Sequence, residues 1–307
     1  MKLKYLLKNK KIMNLESKLE ILEMRMRNFA YEVADLNVKT PKVKNKLETI
    51  DCLVDSNTSI ARFGDGEISL MLELDSPHFQ NVDKKLAERL KEVLNSNDEN
   101  IMIGIINIFG SLNEYKEKDS RFLLEFLAKY RDDFYKYINM DQQYYDAAVT
   151  RPYISIEDSN LSVVIFDKFK QLWRDKDIVI VEGDKSRLGV GNDLFAGAKS
   201  ISRILCPAEN AFAKYDEILE ECKKESSDKL FLLALGPTAT VLAYDMAKLG
   251  YRALDIGHID IEYEWYLAGS KKKTVIKNKY VNEKKKGRVV GECKDQGYLK
   301  SIKAIIS

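Results

Sequence analysis

Four short segments of the chain carry residue types that could do chemistry. Arg62-Phe63-Gly64-Asp65-Gly66-Glu67 sets two carboxylates two residues apart, among glycines. In an extended or turn segment, side chains at i and i+2 point the same way. A hard divalent cation that also holds phosphates needs only one or two protein carboxylates. Asp65 and Glu67 are therefore candidate metal ligands and catalytic groups, with Arg62 and Gly64 candidate contacts to a phosphorylated ligand. The same pattern also describes a solvated polar turn. The second segment, Glu182 to Asp193, holds three glycines, a lysine and an arginine. Successive backbone N–H groups in such a loop form an anion-binding concavity, and a guanidinium adds a bidentate contact. Lys185, Ser186, Arg187, Gly189, Gly191 and Asn192 are the candidate diphosphate contacts. The loop lacks the G-K-[ST] ending of a Walker loop and is not G-x-G-x-x-G, and a long structural loop is the competing reading.

The third segment, Gly236-Pro237-Thr238, opens a helix, where free N–H groups and a partial positive charge gather; Thr238 caps the helix, contacts a ligand, or both. The fourth, Gly257 to Trp265, contains one of the two histidines of the chain beside three acids. His258, Asp260 and Glu262 are candidate bases, and the sequence does not choose between them. Acids at 260, 262 and 264 alternating with Ile259, Ile261 and Tyr263 also describe a half-buried strand. His78 has no such context and reads as surface.

These segments need elements to hold them. Strand-like runs fall at 58–63, 101–106, 178–181, 201–205, 230–235 and 253–256, and helical periodicity at 84–94, 120–138, 161–173, 211–223 and 240–249. Strand–helix alternation at this spacing predicts a Rossmann-like α/β fold, a mainly parallel sheet with helices on both faces. In such sheets ligands bind beyond the carboxyl ends of the strands, where all four segments lie. Ahead of this, Leu15, Leu19, Leu22, Met26, Phe29, Val33 and Leu36 make an unbroken 4-3 apolar seam. It predicts an amphipathic or coiled-coil helix, with Lys18 and Glu23 placed to pair across a parallel homo-oligomer formed through residues 12–36; a helix lying on its own domain is the alternative. The stretch 37–45 reads as a linker. The expected organisation is a basic N-terminus with a heptad helix over 1–40, then one domain over 46–307 with a lysine-rich C-terminal tail.

Of the 307 residues, 45% are apolar and 32% charged, with 5 prolines, a globular composition. The longest uncharged run, Leu230 to Tyr244, is too short to span a bilayer and is broken by Gly236-Pro237. We read no secretory signal. The four cysteines show no C-x-x-C spacing, which argues against a zinc ribbon and for a reducing cytoplasm. The net charge is +2, while residues 1–13 carry +5 and residues 270–303 carry +9, so the rest carries −12. Basic ends meet anionic lipid, phosphorylated ligands or simply water. No nucleic-acid motif is present and no nucleic-acid partner is expected. Peripheral contact with the inner face of a membrane is compatible with the basic ends.

Taken in order, the motifs at Ala61–Glu67, Thr150-Arg151-Pro152-Tyr153, Lys185–Asp193, Leu235–Thr240 and Asp255–Trp265 resemble the GT-D type glycosyltransferases. The resemblance covers about residues 46–285. It implies a Rossmann-like fold, a UDP-sugar donor, and a divalent metal, typically manganese with magnesium as the alternative, held at a D-x-E motif matched by Asp65 and Glu67. The implied activity is transfer of a hexose, in the first instance from UDP-glucose, to a glycan, glycoprotein or other glycoconjugate acceptor. The motifs concern the donor side, so the acceptor stays open. Two rival classes remain: a metal-dependent nucleotide-diphosphate hydrolase using the same loops, and a non-catalytic assembly protein docked at a membrane surface.

Overall fold

The structure, a computed structural model, describes residues 12–13, 15–26, 40–74, 79–109 and 112–307. Residues 15–26 are helical (α1). Next come β1 (Lys42–Val43), α2 (Lys46–Asp55), β2 (Ser59–Phe63), α3 (Asp65–Met71), α4 (Lys84–Leu94), β3 (Ile101–Ile105), α5 (Glu117–Tyr135) and β4 (Gln143–Asp146). The second half contains α6 (Ser159–Leu172), β5 (Asp177–Gly183), β6 (Ser200–Cys206), α7 (Tyr215–Cys222), β7 (Leu230–Ala234), α8 (Pro237–Lys248), β8 (Arg252–Asp255), α9 (Ile259–Leu267), α10 (Gln296–Ser301) and β9 (Ile302–Ile305).

The strands form one sheet of order β1-β4-β3-β2-β8-β7-β5-β6-β9, every pairing parallel. Alternate strand residues feed two cores. Phe63, Ile103, Val181 and Leu233 pack with α3, α4, α5, α7 and α8 on one face. Ile60, Met102, Ile180 and Leu254 pack with α2, α6 and α9 on the other. Such double burial explains why β5 and β7 read as continuous apolar runs. Local signals start the helices. Asn45 and Glu48 form a reciprocal capping box at α2, each bond 2.9 Å. Pro237 opens α8 behind Gly236, whose φ of 56° suits glycine.

The strand order places the site. From β2 the chain steps outward through β3 and β4, then crosses over and returns inward through β5, β7 and β8. β2 and β8 meet side by side, Ile60 opposite Leu254. This is the switch point of the sheet, where the connections leave in opposite senses; in open parallel sheets this is the place of the ligand crevice, beyond the carboxyl ends of the strands.

Three sequence expectations change. The stretch read as a linker holds β1 and the cap of α2. The 259–265 segment, whose alternation also fitted a strand, is the helix α9. The lysine-rich tail is no tail. Residues 273–291 run back across the carboxyl ends of the strands, and β9 then joins the sheet beside β6. Among the described residues, no helix is long and apolar enough to cross a membrane.

The heptad segment divides. Phe29, Val33 and Leu36 lie outside the described residues, while α1 carries Leu15, Leu19, Leu22 and Met26. Those four are 54–62% exposed. The helix instead meets α5 through polar groups: Arg121 donates to the Ser17 hydroxyl at 2.6 Å and stands 3.9 Å from Glu20. These four side chains therefore leave more than half of their surface uncovered by the described residues. A second copy offering the same spacing would cover it. Deleting residues 1–40 is expected to lower the oligomeric state seen by light scattering at micromolar concentration, with the sheet still folded. A monomeric full-length chain would contradict this.

Candidate active site

The crevice is built on Arg62. From the last turn of β2 its side chain crosses to β8. Nε donates to the Asp255 carbonyl at 2.7 Å, Nη2 to Asp255 Oδ1 at 2.7 Å, and Nη1 to the Ala147 carbonyl beyond β4 at 2.8 Å. One guanidinium thus ties together the segments leaving three strands. Gly257 lies against it with φ of 45°, and a Cβ there would stand 2.1 Å from Nη2. This committed group is a strut; the expectation that Arg62 holds a ligand phosphate is corrected accordingly.

Asp65 and Glu67 do not sit in an extended segment. They occupy the first turn of α3, at positions where residues two apart point to different sides. Glu67 folds back so that its Oε2 accepts from the Gly64 N–H at 2.9 Å. Asp65 is exposed and holds no hydrogen bond or ion pair among the described residues. Burial and the neighbouring Asp255 push the Glu67 carboxyl up to about 7, against the pull of Arg62, and Asp65 adds to the push. Desolvation and the charges of Asp255 and Asp65 thus outweigh Arg62, whose guanidinium is already paired with Asp255. Among the described residues no three His, Cys, Asp or Glu side chains converge into a ready-made cage. The exposed Asp65 and the part-buried Glu67 on the same turn are the oxygen donors that a hard cation, taking its other ligands from phosphate and water, would meet here.

The candidates beyond β8 separate by burial. Asp260 is buried and accepts from the Gly189 N–H, Asn192 Nδ2 and Lys279 Nζ, at 2.7–2.8 Å. Glu264, one turn on, shares Asn192 and Lys279. Glu262 is buried on the opposite side of α9 and accepts from the N–H groups of Tyr153 and Ile154 at 3.1 and 2.8 Å. Asp260 is thus held by three donors, whereas Glu262 is held through Oε2 alone and its buried Oε1 has no hydrogen-bond partner among the described residues. His258, at the N-cap of α9, has a side chain about one quarter exposed. Its Nε2 lies 2.9 Å from Asn282 Oδ1 and 3.3 Å from Glu283 Oε2. Glu283 Oε1 accepts from Arg151 at 3.0 Å. The charge of Asp65 acts on Arg151, which links this cluster to the carboxylates of α3.

The glycine-rich loop is spent on structure. Arg187 is buried with φ of 55°, and its two terminal nitrogens donate to the carbonyls of Asn278 and Gly291. It staples the 273–291 strap and is not free for a diphosphate. Gly189 gives its N–H to Asp260, and a Cβ on it would stand 2.4 Å from the Phe195 ring. Asn192 bridges two acids. Gly191, the exposed Lys185 and the half-buried Ser186 remain toward solvent. Thr238 is fully buried in the first turn of α8 and its hydroxyl has no partner among the described residues. The Phe79 ring lies over Gly236 beside it, which takes Thr238 out of direct reach of a ligand in this conformation. His78 lies outside the described residues.

Sequence reasoning gave no role to Arg151, Asp255, Lys279, Asn282 or Glu283. One signal was available: Glu283 is the lone acid between Lys271 and Arg288. An acid retained in so basic a run has partners.

A carboxyl whose pKa rises on folding weakens the fold above that pKa. In the metal-free chain the folded state holds the Glu67 proton up to about pH 7, the unfolded state only to about 4.5. Both are protonated below 4.5, so the penalty is absent there and grows to about 3 kcal/mol above pH 7. Glu67→Gln is therefore expected to be more stable than the native chain at pH 8 by up to that amount in urea unfolding, the gap closing as pH falls to 4.5. A variant less stable at pH 8 would contradict the site's charge balance.

The chain is similar to known proteins in sequence and fold. A family model described as the glycosyltransferase GT-D fold matches residues 60–284. A probable glycosyl transferase, Gly, of Streptococcus gordonii is 40% identical over 258 residues, 84% of this chain and 38% of the relative. The glycosyltransferase GlyD of Streptococcus pneumoniae serotype 4 is 36% identical over 266 residues, 86% of this chain and 32% of the relative. The chain thus spans about a third of the length of the curated relatives it matches. A solved structure of a glycosyltransferase (DUF1792) from Streptococcus sanguinis superposes with a TM-score of 0.83 at 38% identity, covering 87% of this chain and all of the other. Another, of the DUF1792 domain described as having a distinct glycosyltransferase fold, gives 0.81 at 40% identity over 87% of this chain and 96% of that one. With a parallel sheet whose switch point carries the D-x-E pair, and a match running from β2 through the strap, the chain belongs to the GT-D glycosyltransferase family.

Proposed function

We propose that this chain transfers a hexose from a UDP-sugar, UDP-glucose in the first instance, to a hydroxyl of a glycan or glycoconjugate, with a divalent cation, Mn2+ or Mg2+, held by Asp65 and Glu67. The observation that carries this reading is a partly buried Glu67 beside Asp255, in charge excess over Arg62, with the exposed Asp65 on the same turn. Strained charge of this kind is kept where function needs it. When bound, the cation supplies neutralisation of the charge that develops on the departing diphosphate.

The chain's own groups do the rest. Arg62 holds Asp255 and keeps the crevice walls in register. The amino terminus of α8, beyond the neighbouring β7, adds the positive end of a helix dipole. His258 accepts the proton of the attacking hydroxyl. The acceptor oxygen bonds to the anomeric carbon as the carbon–diphosphate oxygen bond breaks, its electron pair leaving with UDP. One displacement of this kind inverts the anomeric configuration. His258 is the base in this reading because Asp260 and Glu262 are buried, whereas the imidazole is part-exposed and one of its nitrogens has no partner among the described residues.

A thermal-shift screen of nucleotide sugars with and without Mn2+ tests donor and metal together. UDP-sugars are expected to stabilise the chain only with the cation, by about 2.7 kcal/mol at a hundredfold excess over Kd. No shift with any UDP-sugar would refute the reading, and rapid UDP-sugar breakdown without an acceptor would favour a hydrolase. Asp65→Asn with Glu67→Gln is expected to abolish Mn2+ binding by calorimetry and to lower turnover about a thousandfold, the scale of several kcal/mol of charge stabilisation, with circular dichroism unchanged. Turnover at the native rate would remove the metal from these residues.

A further inference from the structure

The strap does more than roof the crevice: it brings two acceptors to one nitrogen of His258. Asn282 Oδ1 is the hydrogen-bond partner of Nε2 at 2.9 Å, and Glu283 Oε2 stands 3.3 Å from the same nitrogen as its charge partner, with no hydrogen-bond partner of its own among the described residues. A nitrogen between two acceptors carries the proton, so the neutral ring keeps its lone pair on Nδ1. The Glu283 carboxylate is itself held. Its Oε1 accepts from Arg151 Nη1 at 3.0 Å, and Lys273 stands 3.9 Å away. Burial alone would raise this acid, but His258, Arg151 and Lys273 outweigh it and keep the carboxyl well below the ordinary carboxylate range. The charged groups around the ring are Glu262 of α9, Arg151 of the segment after β4, and Glu283 and Lys273 of the strap. An amide alone would set the tautomer. A fixed anion also stabilises the imidazolium that forms when Nδ1 takes a proton, the division of labour found in acid–histidine pairs elsewhere.

We infer that Glu283, anchored by Arg151, is the positioning residue for His258: it fixes the Nε2–H tautomer, presents Nδ1 to the acceptor hydroxyl, and stabilises the protonated ring. This rests on the reading of His258 as the base. The competing role for Glu283 is mechanical, a pin that holds the strap down.

Nitrogen-15 NMR of the two histidine rings in the full chain separates these roles without needing the acceptor, with His78→Gln identifying the His258 signals. The native chain is expected to show the Nε2–H tautomer at high pH. Glu283→Gln, which keeps the shape but removes the charge, is expected to admit the Nδ1–H tautomer in a detectable fraction of molecules, while Glu283→Asp, which keeps the charge, retains Nε2–H. The Nδ1–H tautomer in the native chain, or the native tautomer ratio unchanged in Glu283→Gln, would overturn the inference. Turnover of UDP-glucose with Mn2+ completes the test. Glu283→Gln is expected to lower kcat about 10- to 100-fold with the donor KM unchanged, and to cost nothing further in a His258→Ala background. An equal loss in both backgrounds would mark Glu283 as a pin of the strap. Native turnover by His258→Ala would instead sink the assignment of the base, whatever the NMR shows of Glu283.

Discussion

The bridge from Arg62 to Asp255 is the contact on which the rest of the crevice depends. β2 and β8 are distant in sequence and meet only because the chain reverses its course across the sheet. Their side-by-side pairing leaves a gap at the carboxyl ends, where nothing in the backbone ladder holds the walls together. One guanidinium spans it, taking the carbonyl and carboxylate of Asp255 and the carbonyl of Ala147. The bridge needs room, which Gly257 supplies by lacking a side chain. It also sets the electrostatics. With its charge drawn to Asp255, Arg62 compensates Glu67 only in part, and Asp65 has no ion pair among the described residues. The fold thus holds a site where added positive charge is favourable.

The second constraint is the ionic lacing of the 273–291 strap. Lys279 is buried between Asp260 and Glu264, Arg187 grips two strap carbonyls, and Glu283 meets Arg151. Removing one partner from such buried sets leaves an uncompensated charge, which costs several kcal/mol, so the strap is held as a fixed wall. The acid-rich first turns of α9 and the base-rich strap are two halves of one device. Their separation in the sequence is why a charge count by segment shows an acidic body and a basic end.

Strands and helices were legible where one periodicity ruled: β3, β5, β6, β7 and β8, and helices α4, α6 and α8, lie close to where their apolar patterns put them. β1 and β4 were not, because two to four residues at a sheet edge carry too little pattern, and β9 was hidden in a segment dominated by lysine. The site divided the same way. Asp65, Glu67 and His258 follow directly on strand-end motifs and stand at the crevice. Arg187 and Asp260 have the right types in the right loops but are consumed by partners that local sequence does not reveal, Glu262 is buried with one oxygen engaged, and Asn282 and Glu283 reach the crevice only through the long return of the strap. A residue's availability is a tertiary property: the same arginine is a ligand or a staple according to which carbonyls fold against it.

The account stands or falls on the crevice between β2 and β8 being where metal and nucleotide meet. Paramagnetic broadening of backbone amide signals by Mn2+, titrated in the presence of UDP, locates that point directly. The account expects saturable broadening centred on residues 64–67 and reaching Arg151, 256–258 and 282–283, with β6 and β9 untouched. Broadening centred on the 184–193 loop, or spread over the surface without saturation, would contradict it.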